Sequence, residues 1–391
     1  MTKHSQALLD LATLISPHNG ETKKVEEIML SAETPWMEII DFANQHLLIP
    51  ALYSALKAKA CFDLLEDSLI KEYLETVYFF NETRNKAILE QLQDVTDLLS
   101  EIEIAPVLLK GAAALSEAYY PRIGARVMSD IDILVPEEKI MESIALFESK
   151  GEYKPVDETH DLWDIHHYRK IYSDKGIATL ELHFKSLAAA YPYFTNETLI
   201  EHIRPSKQIE GAMVIEPTLD LYHVFLHSEI SDHAHEHQTL SLRQLHHAAT
   251  IISAAGEEID WGKLNNVITT HKLINVWRDY LYMLSALFDV DIPAEYLGKE
   301  THLNEILLHI DRSNSEPPLE VYSIVEYGKK VFSYTALQRQ YNLKSHWEYP
   351  FALLRFLGSG FLKYTFSSEA RKDFIHYLKE RKERKKYGHH H

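Results

Sequence analysis

Length, charge and cysteine content exclude several classes of protein. The chain of 391 residues is long enough for two or three domains, and its 46% of hydrophobic residues suffices for a packed core. The net charge of −18 argues against nonspecific coating of nucleic acid, because phosphate binding depends on Lys and Arg. The single cysteine, Cys61, cannot form an internal disulfide. The sequence has no apolar run of about eighteen residues, and its first residues lack the apolar stretch expected of a secretory leader. We therefore expect a cytoplasmic protein with no membrane association.

Helical spacing of apolar residues dominates both ends of the chain. Residues 1–100 predict an N-terminal helical region, with the clearest periodicity at 69–99. Residues 191–388 predict a large helical region, because helix-type spacing returns at Thr218 and continues to the end. The histidines at 389–391 resemble the remnant of a purification tag and are left out of the chemistry.

Residues 101–190 differ from both flanks and predict an α/β part. A helix is expected at 137–150, with Gly151 as its C-cap. The predicted strands lie near 104–109, 130–135, 167–173 and 178–184. The expected fold class is therefore α+β: a small mixed sheet packed with helices, between N-terminal helices and a large C-terminal helical region.

Two aspartates share one face of a predicted strand. The sequence Ser-Asp-Ile-Asp-Ile-Leu-Val at 129–135 places Asp130 and Asp132 on one side and Ile131 and Ile133 on the other. Like charges this close repel each other, and a divalent cation that prefers oxygen ligands would offset the repulsion. For the pair alone, a solvated Asp-x-Asp at a strand end is the alternative interpretation.

A predicted turn before this strand favours a phosphate contact. An apolar run leads into Lys110-Gly111, and three alanines follow, which predicts strand, turn and helix. Glycine at such a turn lets the backbone approach a phosphate, and the helix N-terminus offers free N–H groups. Arg126 lies four residues before Asp130, where its guanidinium could reach an anionic ligand. For Lys110, a solvent-facing lysine at a strand end is the alternative.

A later strand supplies a third carboxylate. The segment Thr-Leu-Glu-Leu-His-Phe at 179–184 alternates polar and apolar residues, so Glu181 and His183 lie on one face of a predicted strand. If Glu181 faces Asp130 and Asp132, the three carboxylates form a site for two hard cations. An exposed strand carboxylate is the alternative for Glu181.

These motifs resemble those of the uncharacterised bacterial nucleotidyltransferases in the DNA polymerase β superfamily. The resemblance lies in Leu-Leu-Lys-Gly at 108–111, Arg126, Asp-Ile-Asp-Ile-Leu-Val at 130–135 and Glu-Leu-His at 181–183, and covers roughly residues 85–190. Ala112 departs from the pattern, because the superfamily usually has Gly or Ser there. A serine hydroxyl is therefore missing from the expected phosphate site.

The resemblance implies Mg²⁺-dependent transfer of a nucleoside monophosphate from an NTP, expected to be ATP, to an acceptor hydroxyl. A two-metal mechanism with Mg²⁺ or Mn²⁺ is expected. The residues implied as catalytic metal ligands are Asp130, Asp132 and Glu181. The residues implied in nucleotide binding are Lys110, Gly111, Arg126 and Ser129; of these, Arg126 is favoured for the β- and γ-phosphates because guanidinium binds phosphate in a bidentate way.

The acceptor is not encoded in these motifs. A protein side chain, a sugar, another small molecule and an RNA end all remain open. Residues expected at the acceptor side of the cleft are His183, His223, His227 and Arg243. For each of these, simple helix or strand packing is the alternative.

Three further interpretations stay open. Ala112 and the acidic surface are compatible with a non-catalytic nucleotide-binding or partner-binding protein on the same scaffold. The histidine-rich segment 223–247 could bind zinc, since His223 and His227 are four residues apart, but it lacks a His-Glu-x-x-His motif. The basic segment 371–386 is either a solvated helix or a contact for RNA or phosphate.

Overall fold

The computed structural model describes most of the chain up to Ser313. The described ranges are 2–18, 22–151, 153–155, 167–168, 170–173, 176–188 and 190–313. Over these ranges the fold is α+β, with helices packed around a seven-stranded mixed sheet, and the predicted fold class is confirmed. The basic segment 371–386 and the histidines at 389–391 lie outside the described residues. Among the described residues, none of the helices combines the length and apolar composition needed to span a bilayer.

The N-terminal region is helical, as predicted. Its helices are α1 (Lys3–Ile15), α2 (Thr22–Leu30), α3 (Trp36–Gln45), α4 (Ile49–Ala58) and α5 (Ser68–Ser100). Helix α5 is 33 residues long, and the Asp67 side chain caps it by accepting hydrogen bonds from the N–H groups of Leu69 and Ile70. Its buried apolar residues recur at helical spacing, at Ile88, Leu92, Val95 and Leu99 among other positions.

The sheet contains more strands than the sequence indicated. The strands are β1 (Val107–Leu108), β2 (Asp130–Leu134), β3 (Tyr153–Pro155), β4 (Ile171–Ser173), β5 (Thr179–His183), β6 (Ile203–Pro205) and β7 (Met213–Ile215), in the order β3-β4-β5-β2-β1-β7-β6. Strand β2 is parallel to β5 and antiparallel to β1, which in turn is parallel to β7. The strands missed by sequence, β3, β6 and β7, have three residues each, too few for a two-residue alternation to be recognised.

The sheet continues past residue 190, where we predicted the α/β part to end. Strands β6 and β7 pair with each other and attach to the sheet through β1, so the helical region begins only at Pro217. The helices before and after this point are α6 (Lys110–Ser116), α7 (Ile140–Ser149), α8 (Asn196–Ile200), α9 (Pro217–Phe225), α10 (Ala234–His237), α11 (Leu242–Ala255), α12 (Trp261–Thr270), α13 (Ile274–Phe288) and α14 (Thr301–Ser313). The predicted helix at 137–150 is α7 with a 3₁₀ turn before it, and Gly151 follows it with φ of +70°.

Two apolar clusters form the core. One joins the C-terminal half of α5 to the sheet and includes Ile88, Leu92, Ile131, Ile133, Leu180 and Leu182. The other joins the N-terminal helices to the C-terminal ones and includes Leu8, Leu52, Leu221, Phe225 and Trp277. Because the isoleucines of β2 face the first cluster, the aspartates between them must point to the opposite face of the sheet.

Polar side chains of α5 hold the loop that leads into β2. The Asn81 amide donates to the carbonyls of Gly124 at 2.7 Å and Arg126 at 2.8 Å. The Asn85 amide donates to the carbonyls of Ile123 at 2.7 Å and Arg126 at 2.8 Å. One helix face therefore supplies donors to a loop whose carbonyls have no strand partner, which fixes where β2 begins.

The same helix holds the start of β5. The Gln91 side chain donates to the carbonyl of Ala178 at 2.8 Å and accepts from the N–H groups of Ile177 at 2.8 Å and Ala178 at 3.0 Å. Arg84 donates to the carbonyls of Met128 and Ser129, immediately before β2. Helix α5 thus sets the relative position of the two strands that carry the carboxylates.

We expect Asn85→Ala to lower the free energy of unfolding by about 1–3 kcal/mol, because the Ile123 carbonyl loses its donor and the Arg126 carbonyl keeps only the one from Asn81. Chemical denaturation followed by circular dichroism measures this loss. Glu90→Ala, an exposed position on the same helix, is the control and should change stability by less than about 0.5 kcal/mol. Equal effects of the two substitutions would show that the Asn85 hydrogen bonds do not position the loop.

Candidate active site

The parallel pairing of β2 and β5 brings the predicted carboxylates together. Asp132 is directly opposite Glu181 in the register, and Asp130 is opposite Thr179. Side chains opposite each other in a parallel pair point to the same face, so Asp130, Asp132, Glu181 and His183 share one surface of the sheet. Asp132, Glu181 and His183 are buried, each less than 7% exposed.

Asp132 lies at the centre of the hydrogen bonds in this site. Its Oδ1 accepts from Lys110 Nζ at 2.6 Å and lies 2.8 Å from His183 Nε2. Burial alone would raise the pKa of Asp132, but the Lys110 ammonium and His183 outweigh it and hold that pKa well below its usual range. Burial would lower the pKa of His183, yet its hydrogen bonds to Asp132 and Glu181 raise it. Asp132 is therefore ionised at any physiological pH.

Lys170 bridges the other two carboxylates, which the sequence analysis did not foresee. Its Nζ lies 2.6 Å from Glu181 Oε1 and 3.2 Å from Asp130 Oδ2. The pairing of β4 with β5 explains its position. Ile171 is opposite Leu180 in antiparallel register, which places Lys170 opposite Glu181. The two predicted strands were known, but their register was not.

The remaining carboxylates differ in their affinity for protons. Burial raises the pKa of Asp130, and the neighbouring charges of Asp132 and Glu181 raise it further. Burial would also raise the pKa of Glu181, but its hydrogen bond with His183 and its attraction to Lys170 lower it to about 2. The cluster thus holds three carboxylates whose repulsion is offset by two ammonium groups.

The structure places the turn residues beside this cluster but changes the interpretation of Gly111. The left-handed residue is Lys110, with φ of +50°, so the turn itself does not need the freedom of Gly111. A Cβ at Gly111 would lie 2.9 Å from Met128 Cγ, so the close packing of Met128 favours glycine there. Ser129 Oγ donates to Asp130 Oδ1 at 3.0 Å and orients that carboxylate. Phosphate binding by Lys110, Gly111 and Ser129 stays a prediction.

Arg126 is buried rather than extended toward solvent. It is 7% exposed, its Nη1 donates to the Tyr120 hydroxyl at 3.1 Å, and its Nε has no hydrogen-bond partner among the described residues. The Tyr120 hydroxyl also lies 3.2 Å from His247 Nδ1 on α11. The guanidinium therefore lies at the junction of the β2 loop and the C-terminal helices, and its role toward a triphosphate stays a prediction.

Apart from His183, the residues expected at the acceptor side lie in different environments. His223 is buried with Nε2 3.1 Å from the Ser186 carbonyl, and burial lowers its pKa to about 3. His227 lies in a π-helical turn, Leu226–Ser231, with Nδ1 3.2 Å from Asp232 Oδ2. The pKa of Arg243 is lowered by burial and by the charge of Arg126. Interactions with Tyr120, Asp130 and Asp232 offset only part of this shift. Arg243 is thus within electrostatic range of Asp130, and His223 within range of Lys110 and His183.

The His223 and His227 pair does not form the centre of a metal-type cluster. Within the described ranges, two groups of side chains bring metal-ligating atoms within 4.8 Å of one another. One is Asp132, Glu181 and His183; the other is His235, Asp279 and His302. The histidine-rich segment therefore contributes His235, and not the predicted pair, to a ligand-type cluster.

A family comparison covers both the sheet and most of the helices. A family model described as uncharacterised nucleotidyltransferase matches residues 32–289, well over half of the chain. The matched region runs from α3 through α13 and includes every residue of the cluster on β2 and β5. The searches of curated proteins and of solved structures found no match.

A buried carboxyl that interacts electrostatically with Arg126 gives the stability of the fold a pH dependence. Asp220 on α9 is 2% exposed, and burial raises its pKa from 3.8 to about 7 although Arg126 offsets part of the effect. Between these two pH values the folded chain holds a proton that the unfolded chain has lost. Protonation of Asp220 therefore stabilises the fold at low pH, and this stabilisation is lost as the pH rises through about 7.

We expect Asp220→Asn to remove this dependence, because the amide keeps the shape and cannot ionise. From pH 5 to pH 8 wild type should lose unfolding free energy that Asp220→Asn keeps. The variant should therefore gain at least about 1.4 kcal/mol relative to wild type over this range, the equivalent of one pKa unit. Urea denaturation at each pH measures it. The control is Asp94→Asn, an exposed aspartate on α5. A difference that is constant with pH for Asp220→Asn would contradict the assignment.

Proposed function

The chain belongs to the family of uncharacterised nucleotidyltransferases, and from this we propose a divalent-metal-dependent enzyme that moves a nucleoside monophosphate from an NTP to an acceptor hydroxyl. The observation that carries the proposal is the cluster of Asp130, Asp132 and Glu181 on one sheet face. In the transfer, a bond forms between the acceptor oxygen and the α-phosphorus, the bond from that phosphorus to the bridging oxygen breaks, and pyrophosphate leaves. The hydroxyl proton passes to solvent.

The donor set of the cluster fits divalent cations. Two ammonium groups, Lys110 on Asp132 and Lys170 on Asp130 and Glu181, each lie 2.6 Å from a carboxylate oxygen. They mark two positions where positive charge is already favoured, and the oxygen ligands around them are those that Mg²⁺ and Mn²⁺ prefer. Asp130, Asp132 and Glu181 would hold the metal. When bound, the metal supplies charge neutralisation at the phosphates and lowers the pKa of the acceptor hydroxyl.

The side chains around the carboxylates support this use of them. Asp132 is ionised at low pH already, so ligand binding there requires no loss of a proton. His183, wholly buried, is hydrogen-bonded to Asp132 and fixes the orientation of that carboxylate. Ser129 does the same for Asp130 from the exposed side. Positioning by a rigid sheet is what transfer through charge neutralisation requires.

Basic side chains next to the cluster provide the nucleotide side of the site. A metal held by the carboxylates would compete with the ammonium groups of Lys110 and Lys170, which now lie 2.6 Å from carboxylate oxygens, and either lysine would then be free to pair with a phosphate. Arg126 is the proposed guanidinium ligand of the β- and γ-phosphates, and its unpartnered Nε is a donor that a phosphate would satisfy. Gly111 and Ser129 complete the proposed nucleotide site, with ATP as the expected substrate. The acceptor side is proposed to lie toward His183, His223, His227 and Arg243.

A second candidate is a binding protein without catalysis. The observation that favours it is Lys170, whose ammonium already satisfies Asp130 and Glu181. If Lys170 stays in place, the site remains charge-balanced and binds a nucleotide or another partner through its lysines alone. The two candidates therefore differ in whether a metal ion can displace Lys170.

The test is a titration with Mn²⁺ followed by electron paramagnetic resonance. In wild type, affinity for Mn²⁺ should rise when a nonhydrolysable α,β-methylene ATP analogue is present, because its phosphates attract the released lysines. Asp132→Asn should abolish this rise. Lys170→Met should bind Mn²⁺ without nucleotide at least about tenfold more tightly than wild type, because the competing ammonium is gone.

A matched control is available for the lysine. Lys139→Met removes an ammonium that lies 2.6 Å from Glu142 in an exposed pair away from the cluster, and it should leave Mn²⁺ affinity unchanged. Unchanged affinity in Lys170→Met together with nucleotide binding that does not depend on Mn²⁺ would favour the binding protein. Equal Mn²⁺ binding by wild type and Asp132→Asn would exclude a metal site at these carboxylates.

A further inference from the structure

A second group of ligand-type side chains lies outside the candidate active site. His235 on α10, Asp279 on α13 and His302 on α14 come from three helices that are far apart in the sequence. One ring nitrogen of each histidine and one oxygen of Asp279 lie within 4.8 Å of one another. Three elements converge on one point there, and none of these residues takes part in the nucleotidyltransferase site described above.

The spacing is close to that of a coordination sphere. His235 Nε2 lies 3.4 Å from Asp279 Oδ2. Two ligands on a tetrahedral zinc ion, each bonded at about 2.0–2.1 Å, are separated by about 3.3 Å. The rings of His235 and His302 stack with centroids 4.3 Å apart and an angle of 20° between their planes. A metal lies in the plane of each ring that binds it, so one ring must turn about its Cβ–Cγ bond for both to coordinate.

His302 supplies an independent indication of a ligand. The residue is 7% exposed, and its Nε2 has no hydrogen-bond partner among the described residues. A buried polar atom without a partner is unfavourable, and a metal ion or an acceptor would relieve that cost. His235 and Asp279 are each 29% exposed in their side chains, so an ion can reach the cluster from solvent.

We propose that His235, Asp279 and His302 bind a divalent transition-metal ion, with Zn²⁺ as the preferred ion and water as the fourth ligand. Two imidazoles and one carboxylate are a common ligand set for zinc. Mg²⁺ prefers oxygen ligands in octahedral geometry and is a poor match, so this site and the carboxylate site select different metals.

A metal ion at this site would link three helices to one another. An ion at this point joins α14 to α13 and fixes α10, which follows directly after the turn that carries His227. A second link already runs the same way, since the Gln238 amide donates to Glu305 Oε2 on α14 at 3.2 Å. The ion would therefore hold the segment between α9 and α11 in place.

The experiment is calorimetric titration with Zn²⁺ of the full chain, with His389, His390 and His391 changed to alanine and with Asp132→Asn to disable the carboxylate site. One equivalent of Zn²⁺ should bind, and its addition should raise the melting temperature. His235→Asn, Asp279→Asn and His302→Ala should each weaken binding at least about tenfold. Excess Mg²⁺ should not compete.

The control is His309→Ala, which removes an exposed histidine from the same helix, α14, and should leave Zn²⁺ affinity unchanged. His235 and Asp279 are at the rim, so their variants test the site even if His302→Ala fails to fold. Absence of a one-to-one binding event, or an equal loss in His309→Ala, would overturn the proposal. Because the background lacks Asp132, the result does not depend on whether the carboxylates bind metal.

Discussion

The repulsion among three carboxylates on one sheet face is the constraint on which the rest of this structure depends. Asp130, Asp132 and Glu181 are held side by side by the parallel register of β2 and β5. Carboxylates this close, two of them buried, are tolerated only when positive charge offsets their repulsion, and Lys110 and Lys170 provide it. The same repulsion underlies the proposed affinity of the cluster for divalent cations, so a feature that costs the fold stability is also the one on which the proposed chemistry depends.

A single helix makes that arrangement rigid. The amides of Asn81, Asn85 and Gln91 on α5 bind the backbone that leads into β2 and β5. These hydrogen bonds fix two strands relative to one scaffold, so Asp132 and Glu181 cannot drift apart without breaking buried contacts. Transfer through charge neutralisation depends on such fixed positions more than on any covalent step. Helix α5 therefore belongs to the site, although none of the three carboxylates lies on it.

Local patterns in the sequence were sufficient to predict individual strands and helices, but not how they pair or pack. The alternation at 129–135 and 179–184 identified the strands with Asp132 and Glu181, and helical periodicity identified α5. Lys170 was missed because its position opposite Glu181 follows from the register of a hairpin, which composition does not encode. The cluster at His235 was missed for a similar reason, because Asp279 and His302 reach it from helices that only tertiary packing brings together.

The most direct test of nucleotidyl transfer is to trace which phosphate of the NTP reaches the acceptor. The full chain is incubated with Mg²⁺ or Mn²⁺, cell lysate and each NTP labelled either at the α- or at the γ-phosphate. Transfer of a nucleoside monophosphate predicts that α-label moves to an acceptor, that γ-label leaves as pyrophosphate, and that Asp130→Asn and Asp132→Asn abolish both. Retention of γ-label on the acceptor, or α-label transfer that survives both substitutions, would contradict nucleotidyl transfer at these carboxylates.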